Sequence, residues 1–359
     1  MFAYIYIYLA SFFLSVFSIL ANNKFFTLTS IYFLFSIMLI FIGLRNGIGS
    51  DWGAYNDHYF FSWEEKNNTI FDVGFNALSH LFYSVGVEFN YLVFLITLMA
   101  LLPILKLSRN YKYSIIVFFL YSTVYLPSLM GLMRQMIAVS LCLLAAEKLY
   151  QRKNRQYLIY VVTAIFFHAG AIVFFLAYFV QKIKINMRKI FFILITLSIF
   201  NYFITEQLGH YLIHNDIMSH QVSVYFSLLD YSLNPPYYSS NLLHTMVMFT
   251  QKFLFLYIFL YYFTKISYSH RGIFYLKIYS LSLMLNIIFY ISIPVLAIRG
   301  SIYFSIVEIV LLALLCEHTK YKWLFILVIL LYGGLKYFNT IFFSLYNQLV
   351  PYQSIFSIQ

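Results

Sequence analysis

The chain has 359 residues, of which 62% are hydrophobic, 22% aromatic and only 10% charged. Soluble domains average about 45–50% apolar and about 25% charged, and a soluble fold of this length cannot remove so much apolar surface from water. The composition therefore excludes a soluble enzyme, a nucleic-acid-binding protein and a disordered chain. It defines a polytopic membrane protein whose formal charge of +11 must be sorted by side of a bilayer.

Apolar runs near the roughly 20 residues needed to cross hydrocarbon fall at 2–20, 27–44, 89–106, 113–127, 131–149, 189–205, 242–263, 274–296, 300–316 and 322–343. Met1 to Leu20 has neither a basic n-region nor a small-residue cleavage site, so it is expected to be a retained span. The stretch 157–180 is bounded by Lys148, Arg152, Lys153 and Arg155 on one side and by Lys182, Lys184, Arg188 and Lys189 on the other. The positive-inside rule puts both basic loops in the cytoplasm. One crossing cannot join two cytoplasmic loops, so the segment is expected to enter and return as two short helices turning at His168-Ala169-Gly170. The alternative is one ordinary span with a loop that breaks the rule. With the hairpin, the expectation is an all-α protein with about twelve transmembrane helices in a single integral membrane domain over 1–359, both termini facing outward.

That arrangement puts 17 of the 23 basic residues in the cytoplasm and nine of the 12 acidic residues outside. The net charge is thus a topology signal and needs no acidic partner. Two outer loops are long. Residues 45–88 contain an amphipathic segment, Phe71 to Val85, expected to lie along the membrane surface. Residues 206–241 contain His210, His214 and His220 and a Pro235-Pro236 turn. The cytoplasmic loops are short and carry no Walker-type glycine loop, which disfavours ATP-driven transport. Cys142 and Cys316 lie within apolar runs, and no Glu lies between His210 and His214, so neither a disulfide, a metal site nor any other cofactor is expected.

Three arginines stand at outer ends of spans, where positive charge is unusual: Arg45, Arg134 and Arg299. Singly, each could be a snorkelling anchor. Together they suit the diphosphate of a lipid carrier, because a guanidinium binds phosphate oxygens through paired hydrogen bonds. Arg45 opens the string Arg45-Asn46-Gly47-Ile48-Gly49-Ser50-Asp51-Trp52-Gly53-Ala54-Tyr55. Its glycines permit tight backbone and close ligand approach. Asp51 can pair with an arginine, cap the following helix or accept a sugar hydroxyl. Trp52 and Tyr55 offer flat faces for sugar rings, or else sit as interfacial aromatics. His168, at the apex of the expected hairpin, is either a hydrogen-bonded packing residue or a general base near neutral pH.

The chain resembles the EpsG/Wzy family of bacterial polysaccharide polymerases. The resemblance rests on the Arg-x-Gly-x-Gly-x-Asp-x-x-x-Tyr string at Arg45 to Tyr55 and on Arg134-Gln135 opening an apolar span. It continues in Phe167-His168 within an apolar hairpin, in Arg299 followed by Tyr303-Phe304, and in a terminal Pro351-Tyr352. One departure is that Ala169 and Gly170 follow the histidine, where the family often has small hydroxyl residues. The resemblance implies a GT-C-like glycosyltransferase of the bacterial cytoplasmic membrane, with its site facing outward. Such an enzyme transfers a growing glycan from undecaprenyl diphosphate to a new lipid-linked repeat unit, and it works beside a chain-length-determinant co-polymerase. It also implies roles: Arg45, Arg134 and Arg299 for the diphosphates, His168 or Asp51 as base, and Trp52, Tyr55, Gln135, Tyr303 and Tyr352 along the glycan. The alternatives are an O-antigen-ligase-like transferase, a flippase for lipid-linked oligosaccharide, or a structural subunit. A flippase needs charge in a central cavity reachable from both sides, whereas the unusual polar groups here gather on the outer face.

Overall fold

The computed structural model of the protein describes residues 1–61, 71–182, 242–289, 294–344 and 346–356, with 189, 193 and 196 between them. The rest of the expected span at 189–205, the outer loop at 206–241 and its three histidines lie outside the described residues, as does Lys66.

Helices follow the hydropathy closely at the N-terminus. α1 (Phe2–Ala21) and α2 (Lys24–Gly43) are each 20 residues long. They are separated by Asn22 in the left-handed region (φ 48°) and by Asn23. The Asn23 carboxamide oxygen accepts from the Phe25 and Phe26 amides at 2.8 and 3.4 Å. This is the ordinary way an asparagine satisfies the orphan donors of a helix start. Two short helices follow, α3 (Trp52–Phe61) and α4 (Val73–Ser84), the latter within the expected amphipathic segment. α5 (Phe89–Ser108) is again 20 residues long.

The expected span at 113–127 is divided into α6 (Ser114–Val124) and α7 (Leu126–Gly131), because Pro127 cannot donate to a continuing helix and fits the first turn of a new one. α8 (Met133–Tyr150) and α9 (Asn154–Phe167) come next. The stretch 157–180 is interrupted at His168, whose backbone is extended (φ −154°, ψ 111°). Beyond it lie a 3-10 segment, Ala169–Phe175, and α10 (Leu176–Val180). The break falls at the residues where the turn is expected, His168-Ala169-Gly170. α11 (Leu242–Tyr261), α12 (His270–Phe289), α13 (Pro294–Ser305), α14 (Glu308–His318), α15 (Lys322–Asn339) and α16 (Tyr346–Leu349) complete the order.

Among the described residues, six helical stretches are long and apolar enough to cross a membrane: Phe2–Ala21, Lys24–Gly43, Phe89–Ser108, His270–Phe289, Ala297–Glu317 and Lys322–Phe343. Two of the other expected spans are shorter or more charged. α8 carries Arg134, Glu147 and Lys148 within 18 residues, and α6 has only 11.

The described residues form two compact units, Met1–Ile172 with Ile309–Gln359, and Val173–Glu308. In the first, α1 and α2 pack on α6, α15 packs on α6, α5 packs on α2, α6 and α8, and α4 lies against α5 and α9. α1 shows how this unit resolves its polarity. Tyr4, Tyr8, Ser11, Ser15 and Ser18 face inward and are buried, while Phe2, Tyr6, Phe13 and Phe17 are half or more exposed. Lipid is as apolar as a protein core, so the inward hydroxyls find acceptors within the protein. The Ser11 and Ser15 hydroxyls bond to Ile7 O and Ser11 O, and Tyr8 Oη donates to Leu330 O at 3.4 Å. Gly333 and Gly334 bring α15 close to its neighbours. A Cβ on Gly333 would stand 2.7 Å from the Phe119 ring, and one on Gly334 would meet the Tyr8 hydroxyl.

In the second unit α12 packs against α10, α11 and α13. Phe174 stacks on Phe304 at 5.3 Å, and Lys277 Nζ donates to Gln181 O at 3.2 Å.

Overfilling the contact beneath α15 is expected to weaken the first unit. Gly333→Leu should lower the thermal midpoint of the detergent-solubilised protein, with about 1–3 kcal/mol lost to overpacking. Leu335→Ala, at a position 73% exposed, should leave that midpoint close to the parent's, with stability changed by no more than about 0.5 kcal/mol.

Candidate functional site

The loop after α2 is built around Arg45. Its side chain is fully buried, and all three guanidinium nitrogens donate to main-chain oxygens. Nε bonds to Ile48 O at 3.1 Å, Nη1 to Ile42 O, and Nη2 to Met130 O at 2.8 Å. The guanidinium also stands 5.4 Å from the centre of the Trp52 ring. Burial pulls the Arg45 pKa down to about 10, against the opposing pull of Tyr352, so the group stays charged at neutral pH. Read as an outward diphosphate ligand in the sequence, Arg45 is instead turned inward, and no donor of its side chain reaches the surface. The reason is local geometry: the last turn of α2, its own loop and the end of α7 each present a carbonyl that needs a donor.

Glycine makes this approach possible. Gly49 has φ +127°, and a Cβ there would collide with the Met130 carbonyl oxygen. A Cβ on Gly131 would meet the Ser50 hydroxyl. The loop is closed from the other side by the C-terminal segment. Asn46 N donates to Gln353 O and Ile355 N to Leu44 O, both at 3.0 Å, and Gly49 N donates to Gln348 O at 3.2 Å. Arg45 and Ser354 form an antiparallel bridge. Tyr352 stacks on Phe41 at 4.3 Å and donates to Phe41 O at 2.8 Å. Tyr4 Oη donates to Leu349 O at 2.6 Å. The terminal Pro351-Tyr352 and the opening Arg45 string, far apart in sequence, are thus one structure.

Trp52 and Tyr55 are 8% and 3% exposed. Trp52 packs edge-on against Phe89 at 5.2 Å, so in this arrangement both rings are walls and neither offers an open face for a sugar. Gln135 is 2% exposed in the first turn of α8, and Tyr303 is fully buried in α13. Arg299 is half-buried in α13, within the second unit. Tyr352 is half-buried. Asp51 is half-exposed at the start of α3, where its main-chain oxygen accepts from Tyr55 N. Its charge and that of Arg134 both act on the Tyr55 hydroxyl.

The structure brings Arg134 and His168 together through a residue that sequence reasoning passed over, Asp72. Arg134 Nη1 makes an ion pair with Asp72 Oδ2, the two side chains being 16% and 19% exposed. Its Nε donates to Tyr55 Oη at 3.4 Å. The guanidinium lies 4.2 Å from the Phe71 ring centre, with Tyr55 and Phe75 at 5.6 and 5.9 Å. The other Asp72 oxygen accepts from Ala169 N at 3.0 Å. Asp72 stands at the N-cap of α4 but gives that helix no side-chain bond; both oxygens are committed elsewhere. The sequence held one signal for it, an aspartate directly before an amphipathic helix, but nothing local tied it to Arg134.

His168 is half-buried, and its Nδ1 accepts from Gly170 N at 3.1 Å. A nitrogen that accepts carries no proton, so the neutral ring assigned by this bond holds its proton on Nε2 and presents a donor there. His58, 9% exposed, faces Phe71 and Phe75 at 4.5 and 5.7 Å. Burial lowers its pKa below the ordinary imidazole value.

Fold and site together define a polytopic helical membrane protein with a buried arginine clamp beneath a partly exposed arginine–aspartate–histidine junction. The EpsG family model matches residues 28–354, and the chain belongs to the EpsG family. That places it among membrane proteins of polysaccharide biosynthesis with a polymerase-type role. No curated protein and no solved structure matches the chain.

Two outcomes are expected. Arg45→Lys keeps the charge but cannot reach three carbonyls, and hydrogen bonds to a charged group are worth about 1.5–3 kcal/mol each. It should sharply lower the yield of monodisperse protein on size-exclusion chromatography. His58, with its folded pKa below the unfolded value, contributes stability above about pH 6.5 that is lost as the pH falls toward its folded pKa. Thermal midpoints between pH 7.5 and 5 should fall less steeply in His58→Gln than in the parent.

Proposed function

We propose that the chain is a polysaccharide polymerase of GT-C type in the bacterial cytoplasmic membrane. It transfers a growing glycan from undecaprenyl diphosphate to the non-reducing end of a new lipid-linked repeat unit at the outer face. Its membrane topology is the roughly twelve-span arrangement required by the loop charges. The observation that carries this reading is the junction of Arg134, Asp72 and the His168 turn in a chain of the EpsG family.

Arg134 is the diphosphate ligand of the first unit. It is partly exposed, and one edge of its fork is held by Asp72, which orients the remaining donors. Arg299 is the second diphosphate ligand. Arg45 acts through the loop it holds, as a positioning residue. The acceptor hydroxyl attacks the anomeric carbon of the donor, the bond from that carbon to the diphosphate oxygen breaks, and the leaving diphosphate takes the electron pair. Arginine stabilises the charge that develops on it. The hydroxyl proton passes to a carboxylate. The bond from Gly170 N to His168 Nδ1 supports Asp51 as that base and His168 Nε2 as a donor to a substrate oxygen. Tyr352 and Gln135 of the first unit, and separately Tyr303 of the second, serve glycan binding, and a chain-length-determinant co-polymerase sets when extension stops.

The test is chain extension in nanodiscs with a purified lipid-diphosphate-linked repeat unit, read as a glycan ladder. Arg134→Ala is expected to lower extension about 10²–10³-fold, the usual cost of losing one charge-stabilising group, and Asp51→Asn about 10²–10⁴-fold, the usual contribution of a general base. His168→Gln, which can still donate, should lower it less than His168→Ala. Folded variants that all extend at the parent rate would overturn the assignment.

A further inference from the structure

A second charged feature lies in the first unit, at the end opposite in the chain's charge pattern to the junction above. A cavity of about 330 Å³ is lined by Lys106, Lys148, Lys153, Gln156, Ile159 and Tyr160. The three lysines come from the last turn of α5, the last turn of α8 and the residue preceding α9. Their convergence is enforced by backbone. Arg152 adopts φ +59°, its N–H bonds to Leu149 O at 3.0 Å, and Lys153 N–H bonds to Lys148 O at 2.9 Å. These are the paired bonds of a Schellman turn, here with an arginine in the left-handed position. The turn holds Lys148 and Lys153 at one rim of the cavity. Across from them, Lys106 Nζ donates to Tyr160 Oη at 3.2 Å and lies 5.8 Å from that ring's centre.

Three like charges around one cavity repel, and among the described residues no carboxylate pairs with Lys106, Lys148 or Lys153. Glu147, one residue from Lys148, is committed to Tyr111 Oη at 3.0 Å and Gln151 Nε2 at 2.7 Å. The cavity has the donors an anion needs and no anion of its own. It is also continuous with an apolar strip: Leu102 lies one turn before Lys106, while Leu158, Ile159 and Val162 follow on α9, all 44–62% exposed. A basic recess opening onto lipid-facing aliphatic side chains matches a phosphate with acyl chains attached.

We propose that this cavity is a binding site for the phosphate headgroup of an anionic phospholipid in the cytoplasmic leaflet. The three lysines and Gln156 hold the phosphodiester, and the strip from Leu102 to Val162 receives the chains. The proposal does not rest on the transferase reading.

The test is native mass spectrometry and titration of the full-length protein with dioctanoyl phosphatidylglycerol, dioctanoyl phosphatidylcholine and inorganic phosphate as separate probes. The parent protein should bind the glycerol lipid in preference to the choline lipid. Lys106→Gln/Lys148→Gln/Lys153→Gln should weaken that binding on the order of 100-fold, at about fivefold per charge near the headgroup. A variant matched in charge, Lys265→Gln/Lys320→Gln/Lys322→Gln, should bind within about threefold of the parent, the scatter expected of distant surface charge. Should the triple variant fail to fold, each single lysine variant is expected to weaken binding about fivefold. The proposal is overturned if the cavity variants bind as the parent does, or if the matched variant loses as much. Inorganic phosphate displacing the glycerol lipid at equal concentration would overturn the lipid assignment.

Discussion

A guanidinium with five donors can satisfy several carbonyls at once, and Arg45 uses this to close a loop that would otherwise hold unpaired backbone at a membrane boundary. Ile42 O belongs to a helix end, Ile48 O to an irregular loop and Met130 O to the end of another helix. Each would cost free energy if buried without a donor. One side chain meets all three and fixes the α2 end against the α7–α8 junction. Because Arg134 lies four residues beyond Met130, the clamp also sets where the partly exposed arginine begins. The C-terminal segment adds the outer wall through Gln348, Gln353 and Ile355, so the chain's last turn supports its second helix.

The junction above the clamp works by division of labour between two arginines of the same type. Arg45 is enclosed and spends its fork on backbone. Arg134 keeps part of its side chain in contact with solvent, is framed by three aromatic rings, and shares one edge with Asp72. Asp72 in turn reaches the amide after His168. A single carboxylate therefore couples α8, the start of α4 and the break between α9 and the 3-10 segment. That coupling gives the histidine turn a fixed position relative to the cation, which is what an electrostatic site requires.

Aromatic residues, 22% of the chain, divide by the same rule of what can be satisfied where. On α1 Phe2, Phe13 and Phe17 face outward beside the exposed Tyr6, whereas Tyr4 and Tyr8 turn inward to carbonyls, as Tyr337 does on α15. In lipid a hydroxyl has no solvent partner, so the protein interior is the polar refuge.

The sequence by itself determined the membrane class, the N-terminal helices and the break at His168. Hydropathy and loop charge are local quantities, and lipid enforces them strongly. It also singled out Arg45, Arg134, Asp51 and His168, because charge and glycine are conspicuous in a chain with 10% charged residues. What each of them touches was decided only by tertiary structure. Arg45 and Arg134 look alike in sequence, and whether a guanidinium meets carbonyls or solvent depends on chain segments 85 residues away. Trp52 and Tyr55 read as open faces until Phe89 and Arg134 were seen to cover them. The pairings of Asp72 with Arg134 and of Tyr352 with Phe41 had no local signal, since a contact between distant segments leaves no periodicity in either one.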